Sequence, residues 1–184
     1  MIALADLRAD RMLVDDLART CDFNLDRAAR DHAWIRLAPP LPFAVVAGDS
    51  CGGVFLAYGT GALEARPILY ATSEGRAGRI ADSLDECIAM MLALPCWQDV
   101  LHFSGGGDLD AMRRAAADLA QDEDEDDDDL PPAEVRARLL ARLPLPAIDD
   151  PVRLLHARVR TTDCALVAED GCQTDTLFNR FTTG

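Results

Sequence analysis

Six cysteines and three histidines are the side chains of this chain best suited to hold a metal ion or attack a substrate. No two cysteines form a Cys-x-x-Cys pair, and the histidines are far apart in the sequence. Structural zinc sites are usually built from closely spaced ligand pairs. We therefore predict no metal and no cofactor, and interpret the cysteines as small buried apolar residues. The residues are Cys21, Cys51, Cys87, Cys96, Cys164, Cys172, His32, His102 and His156.

A nucleophilic Cys–His pair is the next chemistry to consider, and Cys96 and His102 are close in sequence. Such a pair needs the imidazole within hydrogen-bond reach of the sulfur and a third group that orients it. The sequence marks neither requirement, so we predict no catalytic centre. The alternative is a small cytoplasmic hydrolase with a Cys or His centre. It requires an accessible thiol of lowered pKa at Cys51, Cys87 or Cys96.

The glycine-rich segment Ser104–Asp108 precedes a predicted helix and invites comparison with phosphate-binding loops, whose backbone N–H groups hold an anion. It lacks the Lys-Ser/Thr ending of a P-loop and the spacing of a dinucleotide fingerprint. The carboxylate of Asp108 would also oppose a phosphate. We interpret the segment as a flexible joint before a helix that Asp108 caps.

Eight consecutive acidic residues, Asp122–Asp129, form the most unusual segment of the chain. Without these eight carboxylates the net charge of −14 falls to −6. The run lacks the glycine and terminal glutamate spacing of a calcium-binding loop. We interpret residues 121–130 as a solvated, mobile linker whose deletion leaves the fold intact. A partner-attracting or DNA-mimicking role is the alternative, and Arg136, Arg138 and Arg142 could pair with the run.

Composition excludes several classes of protein. Of 184 residues, 49% are hydrophobic, which is too many for a wholly disordered chain. No apolar run approaches the ~20 residues needed to span a membrane, and the acidic balance argues against binding nucleic acid. The N-terminal segment lacks the pattern of a signal peptide, so we expect a cytoplasmic protein with reduced cysteines. All 18 basic residues are arginine, which points to a GC-rich bacterial source.

The order of predicted elements indicates a single α+β domain over residues 1–184, with an antiparallel sheet flanked by helices. The predicted sheet consists of strands near 43–48, 53–58 and 67–72. A short strand at 79–81 and a C-terminal hairpin at 164–178, turning at Asp170-Gly171, are possible extensions. The predicted helices lie at 4–19, 24–32, 83–94, 109–119, 135–143 and 151–159, and the segment 95–103 is predicted to form one further helical turn.

The helix at 83–94 carries the clearest periodic pattern in the chain. Leu84, Ile88, Met91 and Leu92 fall on one helical face, which predicts that this face packs on the sheet. Ser83 and Glu86 have the spacing of a capping box, in which each side chain satisfies a backbone N–H group at the helix start.

The central part of the chain resembles the SUKH superfamily, which includes bacterial immunity proteins and eukaryotic Smi/Knr-type cell-wall regulators. The matching features are the Gly-Asp pair 48–49, Gly53 at the start of a strand, the strand 68–72 and the phrase 80–86, where a strand leads into a capped helix. The resemblance covers roughly residues 43–94.

The resemblance implies a non-enzymatic protein-binding module, and most of all an immunity protein that neutralises a toxin encoded beside it. The expected partner is another protein, possibly a basic toxin, because opposite charge accelerates association. Turns on a rigid sheet often carry recognition. We therefore expect exposed contact residues at predicted turns and at a helix start: Asp49, Glu64, Glu74, Asp82 and Asp85. A scaffold protein without one tight partner is the remaining alternative.

Overall fold

The computed structural model describes residues 2–29, 34–121, 132–167 and 171–183. Within these ranges the chain folds into seven α-helices and seven short strands. The helices are α1 (Leu4–Ala9), α2 (Arg11–Cys21), α3 (Leu84–Ala93), α4 (Trp97–His102), α5 (Leu109–Leu119), α6 (Pro132–Arg142) and α7 (Pro151–Arg160). The strands are β1 (Leu37–Ala38), β2 (Phe43–Gly48), β3 (Val54–Tyr58), β4 (Ile68–Ala71), β5 (Arg76–Ala81), β6 (Ala165–Leu166) and β7 (Asp175–Thr176).

The main sheet has the order β2-β3-β4-β5-β7, and the first four strands form an antiparallel meander. The predicted α+β class with an antiparallel sheet flanked by helices is confirmed. Strand β5 begins three residues before the predicted segment 79–81. Its full length was not predicted, because Arg76 and Arg79 interrupt the apolar pattern of the strand. The last pair, β5 with β7, is parallel and only two residues long.

Both faces of the sheet are covered. Phe55, Ile68 and Ile80 belong to the large core beneath the helices. Leu56 and Leu69 belong to a second cluster, which residues of β1 and β6 cover from the other side. All five residues of β3 are therefore buried, and this explains its continuous apolar sequence.

Helix α3 packs as its sequence pattern predicts. Its apolar residues Leu84, Ile88, Met91 and Leu92 are all at most 1% exposed. The Ser83 hydroxyl accepts a 3.2 Å hydrogen bond from the N–H of Glu86, which confirms the N-cap. The Glu86 carboxylate differs slightly from the predicted capping box, because it accepts from the N–H of Asp82 instead of that of Ser83.

The prediction of one N-terminal helix over 4–19 was wrong. The backbone of Asp10 is extended, so α1 ends and α2 begins on either side of it. Its carboxylate accepts the N–H of Leu13 at 3.2 Å and caps α2. An aspartate that could be read as one more polar helix residue instead supplies the start signal of a new helix.

The predicted C-terminal hairpin was also wrong in its main feature. Strand β6 pairs with β1 in a separate two-stranded sheet, and β7 joins β5 in parallel. Val167 and Gln173 form an isolated antiparallel bridge, which is one residue out of register for a two-residue turn at 170–171. Asp170 itself lies outside the described residues.

Two further predictions concern the segments 24–32 and 122–129. The helix predicted at 24–32 is a 3₁₀ turn, Leu25–Ala29, whose start is stabilised by Asn24 accepting from the N–H of Asp26. The acidic run Asp122–Asp129 and His32 lie outside the described residues. No helix within the described ranges is long and apolar enough to cross a membrane.

Candidate binding surfaces at the two ends of the sheet

The antiparallel meander separates the predicted contact residues into two groups. We call one end of the sheet the turn end; it consists of the β2–β3 turn (49–53) and the β4–β5 turn (72–75). The opposite end, where β5 leads into α3 and the connection 59–67 crosses, is called the helix end. Asp49 and Glu74 lie at the turn end, whereas Glu64, Asp82 and Asp85 lie at the helix end.

Asp49 is buried, so the prediction that it is exposed was wrong. Its side chain is 1% exposed and accepts the N–H of Gly53 at 2.6 Å and the hydroxyl of Tyr70 at 2.5 Å. Its backbone N–H donates to the carbonyl of Gly53, and its own carbonyl accepts from the guanidinium of Arg27. A turn aspartate is usually solvated, but here the carboxylate folds back and fixes the turn from inside.

Gly53 is required by the same arrangement. A Cβ atom at this position would lie 2.3 Å from a carboxylate oxygen of Asp49 and 2.9 Å from the hydroxyl of Tyr70. Real Cβ atoms do not approach heavy atoms so closely, and a side chain here would displace the carboxylate. Asp49, Gly53 and Tyr70 therefore fix the turn from inside, and we call these three residues the structural lock.

Tyr70 connects this buried lock to the surface. Burial and its hydrogen bond to Asp49 raise the pKa of the Tyr70 phenol, so the group stays protonated and donates. The ring packs at 4.9 Å from those of Phe55 and Trp97, and Gln98 donates to the phenol oxygen at 2.9 Å. The network ends at a small cleft of about 90 Å³, also lined by Thr72, Glu74, Arg76 and His102.

The exposed rim of the turn end is polar and acidic. Asp22 accepts the N–H and the hydroxyl of Ser50 at 2.8 and 2.7 Å, which holds the tip of the first turn. Glu74 is exposed on the second turn. Arg76 lines the same cleft as Glu74, and its guanidinium donates to the carbonyls of Thr176 and Phe178. The rim therefore presents the exposed carboxylate of Glu74 beside the half-buried Asp22, whose two oxygens accept from Ser50.

The three acidic residues of the helix end make intramolecular contacts that the sequence did not reveal. Asp85 accepts the N–H of Ile2 at 2.8 Å, and Glu64 accepts the N–H of Leu4 at 3.2 Å. These two carboxylates hold the N-terminal segment, from which they are separated by 83 and 60 residues. No local pattern in the sequence predicts contacts between residues so far apart in the chain.

Asp82 is the exposed member of the helix end. Its carboxylate lies 2.9 Å from the guanidinium of Arg158 and 3.7 Å from that of Arg79. Arg158 also contacts Glu86 at 2.7 Å. Asp82 thus belongs to an ion-pair cluster between β5, α3 and α7, and its charge is partly compensated.

The glycine-rich loop Ser104–Asp108 is occupied by the C-terminal tail (177–183). The N–H groups of Gly105 and Gly106 donate to the carbonyls of Phe181 and Asn179 at 2.8 and 2.6 Å. These donors are therefore not directed at an anion, and the loop is clamped rather than a flexible joint. Asp108 caps α5 through the N–H of Ala111, as predicted.

Three of the six thiols are poorly suited to nucleophilic attack. Burial raises the pKa of Cys21 to about 12 and that of Cys164 to about 11, and it raises the pKa of Cys87 well above the ordinary value. Cys51 and Cys172 are exposed, and Cys96 is half-buried. Among the described residues no group of three or more Cys, His, Asp or Glu side chains could hold a metal ion.

The two described histidines have identifiable contacts. The Nε2 atom of His156 is 2.9 Å from the carbonyl of Gly107, which places this ring beside the glycine loop. His102 stacks on Phe181 with ring centroids 4.9 Å apart. Both rings hold the C-terminal part of the chain against α4 and α7, and neither lies against a described cysteine in these contacts.

Comparisons with protein-family models, with curated proteins and with solved structures found no match. The fold class, the two ends of the sheet and the chemistry of their side chains are therefore the basis for a functional proposal.

Proposed function

We propose that this chain is a non-enzymatic protein-binding module of the SUKH type, acting as an immunity protein in the bacterial cytoplasm. Its partner would be a basic toxin encoded by a neighbouring gene. The observation that carries the proposal is the construction of the turn end. A buried network of Asp49, Gly53, Tyr70 and Gln98 holds a rim on which Glu74 is exposed.

A preorganised rim favours recognition for a physical reason. Binding a partner orders side chains and loops, and each immobilised group reduces the affinity. Turns that are already fixed from inside lose little freedom when a partner binds. The lock therefore supports a recognition surface at Glu74 and Asp22, although Asp49 contributes by positioning and not by contact.

The charge of the chain supports a basic partner. With a net charge of −14 and no lysine, the protein repels other acidic macromolecules and attracts basic ones. Attraction of this kind raises the association rate and weakens as salt is added. Glu74 and Asp22 add two carboxylates to this field at the turn end.

Burial makes one of the three candidate thiols of the hydrolase alternative a poor nucleophile, while Cys51 and Cys96 remain at least partly accessible. Cys87, one of three cysteines that a hydrolase could use, is fully buried and has a strongly raised pKa. The glycine loop likewise has its donors engaged by the C-terminal tail. Cys87 and the glycine loop are therefore explained by their roles in the fold.

Co-expression tests the proposal. The product of the reading frame directly upstream is expressed alone and together with this chain, and cell survival is measured. We expect survival to be restored and the two proteins to co-purify at low salt. Unchanged killing, together with no complex at low salt, would contradict the immunity function. An inactive variant of the toxin is the control, because it can be produced in the absence of this chain. Its co-purification with this chain would show that survival results from binding and not from reduced toxin synthesis.

A further inference from the structure

A second surface, distinct from the turn end, is an open groove of about 570 Å³ beside the helix end. It lies between the start of α3, the loop 146–150 and the first turns of α7. Its floor and walls are mostly apolar and include Pro146, Ala147, Ile148, Leu154 and Ala157. The volume is in the range of roughly 300–1,000 Å³ that is typical of ligand pockets.

We propose that this groove binds a protein segment in which an apolar side chain is flanked by arginine or lysine. The apolar lining offers a site for the hydrophobic anchor, since Ala147 and Ala157 are exposed and Ile148 and Leu154 are half-buried. Burying apolar area against them contributes roughly 25 cal/mol per Å². A groove open along one side suits an extended or helical segment better than an enclosed small molecule.

The carboxylates around the groove favour a basic residue beside the apolar anchor, chiefly at Asp149. Three carboxylates line it, from Glu86, Asp149 and Asp150, against the single guanidinium of Arg153. Glu86 is paired with Arg158 at 2.7 Å, and Asp150 with Arg113 at 3.1 Å. Asp149 is exposed and has no ion-pair partner among the described residues, so it offers the carboxylate that a flanking cation would meet.

A second copy of this chain is a poorer occupant. Two copies would bring together net charges of −14 each, and this repulsion opposes association at low salt. A basic partner gains from the same field. The groove is also partly preformed, because Pro144 and Pro146 restrict the backbone of the loop and Asp150 caps α7 through the N–H of Arg153.

A displayed random-peptide library, selected on the immobilised wild-type chain at low salt, is a direct probe of the groove. We expect enriched peptides to contain an apolar residue with arginine or lysine on either side. Their affinities are then measured by fluorescence polarisation for the wild type and for Ala157→Arg, which fills the groove and adds a cation. This variant should weaken binding at least about tenfold.

Ala117→Arg is the matched control, because it makes the same change at an exposed helical position outside the groove lining. It should leave the affinity within about twofold, and Ala147→Arg in the loop should reproduce the loss if α7 does not tolerate Ala157→Arg. Absence of enrichment, selection of acidic peptides, or equal binding to wild type and Ala157→Arg would overturn the proposal. A dimer that Ala157→Arg disrupts would assign the groove to a second copy instead. None of these outcomes depends on the toxin.

Discussion

The carboxylate of Asp49 accepts a 2.5 Å hydrogen bond from the phenol of Tyr70, and this contact ties the β2–β3 turn to strand β4 inside the protein. Both residues are buried, at 1% and 5% exposure. The same carboxylate accepts the N–H of Gly53. A buried carboxylate is tolerated only where such donors surround it, so the turn and the strand should lose stability together when either partner is changed.

Replacing Tyr70 by phenylalanine tests this contact. The ring and its packing against Phe55 and Trp97 are kept, but the Asp49 carboxylate loses the Tyr70 hydroxyl and retains only the N–H of Gly53 as a donor. We expect a loss of about 1–3 kcal/mol in the free energy of unfolding, measured by urea denaturation. Glu74→Gln, a change at an exposed position of the same end, should stay within about 0.5 kcal/mol. Equal effects of the two changes would show that the buried contact contributes nothing.

Substituting Gly53 with alanine should destabilise the turn for a different reason. The added Cβ would lie 2.3 Å from the Asp49 carboxylate, which must move out of its hydrogen bonds. Gly75→Ala is the comparison, because that position has positive φ but open space, so backbone strain of about 1 kcal/mol is expected there. We expect Gly53→Ala to cost more, and less in an Asp49→Ala background.

Urea denaturation of Gly53→Ala, Asp49→Ala and the double variant gives the three losses in the free energy of unfolding. We expect the loss in the double variant to be smaller than the sum of the two single losses. If the losses from Gly53→Ala and Asp49→Ala simply add, the two residues do not act as one lock.

Much of the fold followed from local patterns in the sequence. The predicted bounds of β2 coincide with the observed ones, and Asp108 and Asp150 cap α5 and α7 as their spacing indicates. The apolar stripe of α3 is buried as expected. These features depend on residues a few positions apart, for which periodicity and capping preferences are sufficient.

The features that were missed depend on distant parts of the chain. Asp49 was predicted to be exposed because a Gly-Asp turn is normally solvated, and only Tyr70 on another strand explains its burial. Glu64 and Asp85 were predicted as contact residues, but both hold the N-terminal segment. Strand β7 pairs in parallel with β5, and two-residue strands carry too little pattern to reveal such a partner.

The described thiols should divide into two groups in native protein. At neutral pH a thiol-reactive probe should label Cys51 and Cys172, which are exposed, and spare Cys21, Cys87 and Cys164. Burial raises the pKa of the last three, so access and thiolate formation are both suppressed. Peptide mapping by mass spectrometry identifies the labelled sites. Rapid labelling of native Cys87 or Cys96, or labelling of Cys51 much faster than that of Cys172, would favour the hydrolase alternative.

Asp108 should contribute to the acid sensitivity of the fold. Its hydrogen bond from the N–H of Ala111 lowers the pKa of this carboxyl below the ordinary value of 3.8. A lowered folded-state pKa means that the contribution is complete above the ordinary value and is lost as the pH falls through the folded-state value. Asparagine can also cap the helix but its side chain does not titrate. Any extra stability of the wild type over Asp108→Asn should therefore shrink towards low pH.

Thermal midpoints of wild type and Asp108→Asn, compared between neutral and strongly acidic pH, check this expectation. Asp118→Asn, near the C-terminus of the same helix, is the control and should differ in sign at neutral pH, because a negative charge there opposes the helix dipole. A wild-type advantage at position 108 that grows as the pH falls would contradict the assignment.

The most direct test of the central claim is the affinity of this chain for the upstream gene product, measured by calorimetry at low salt and at physiological salt. We compare wild type, Glu74→Arg at the turn end and Glu134→Arg, an equal change of charge at an exposed position of α6. The proposal predicts a complex that weakens with salt, a loss of about tenfold or more for Glu74→Arg, and little change for Glu134→Arg. Equal affinities for the two variants would exclude the turn end as the recognition surface, and no binding by the wild type at low salt would contradict the function itself.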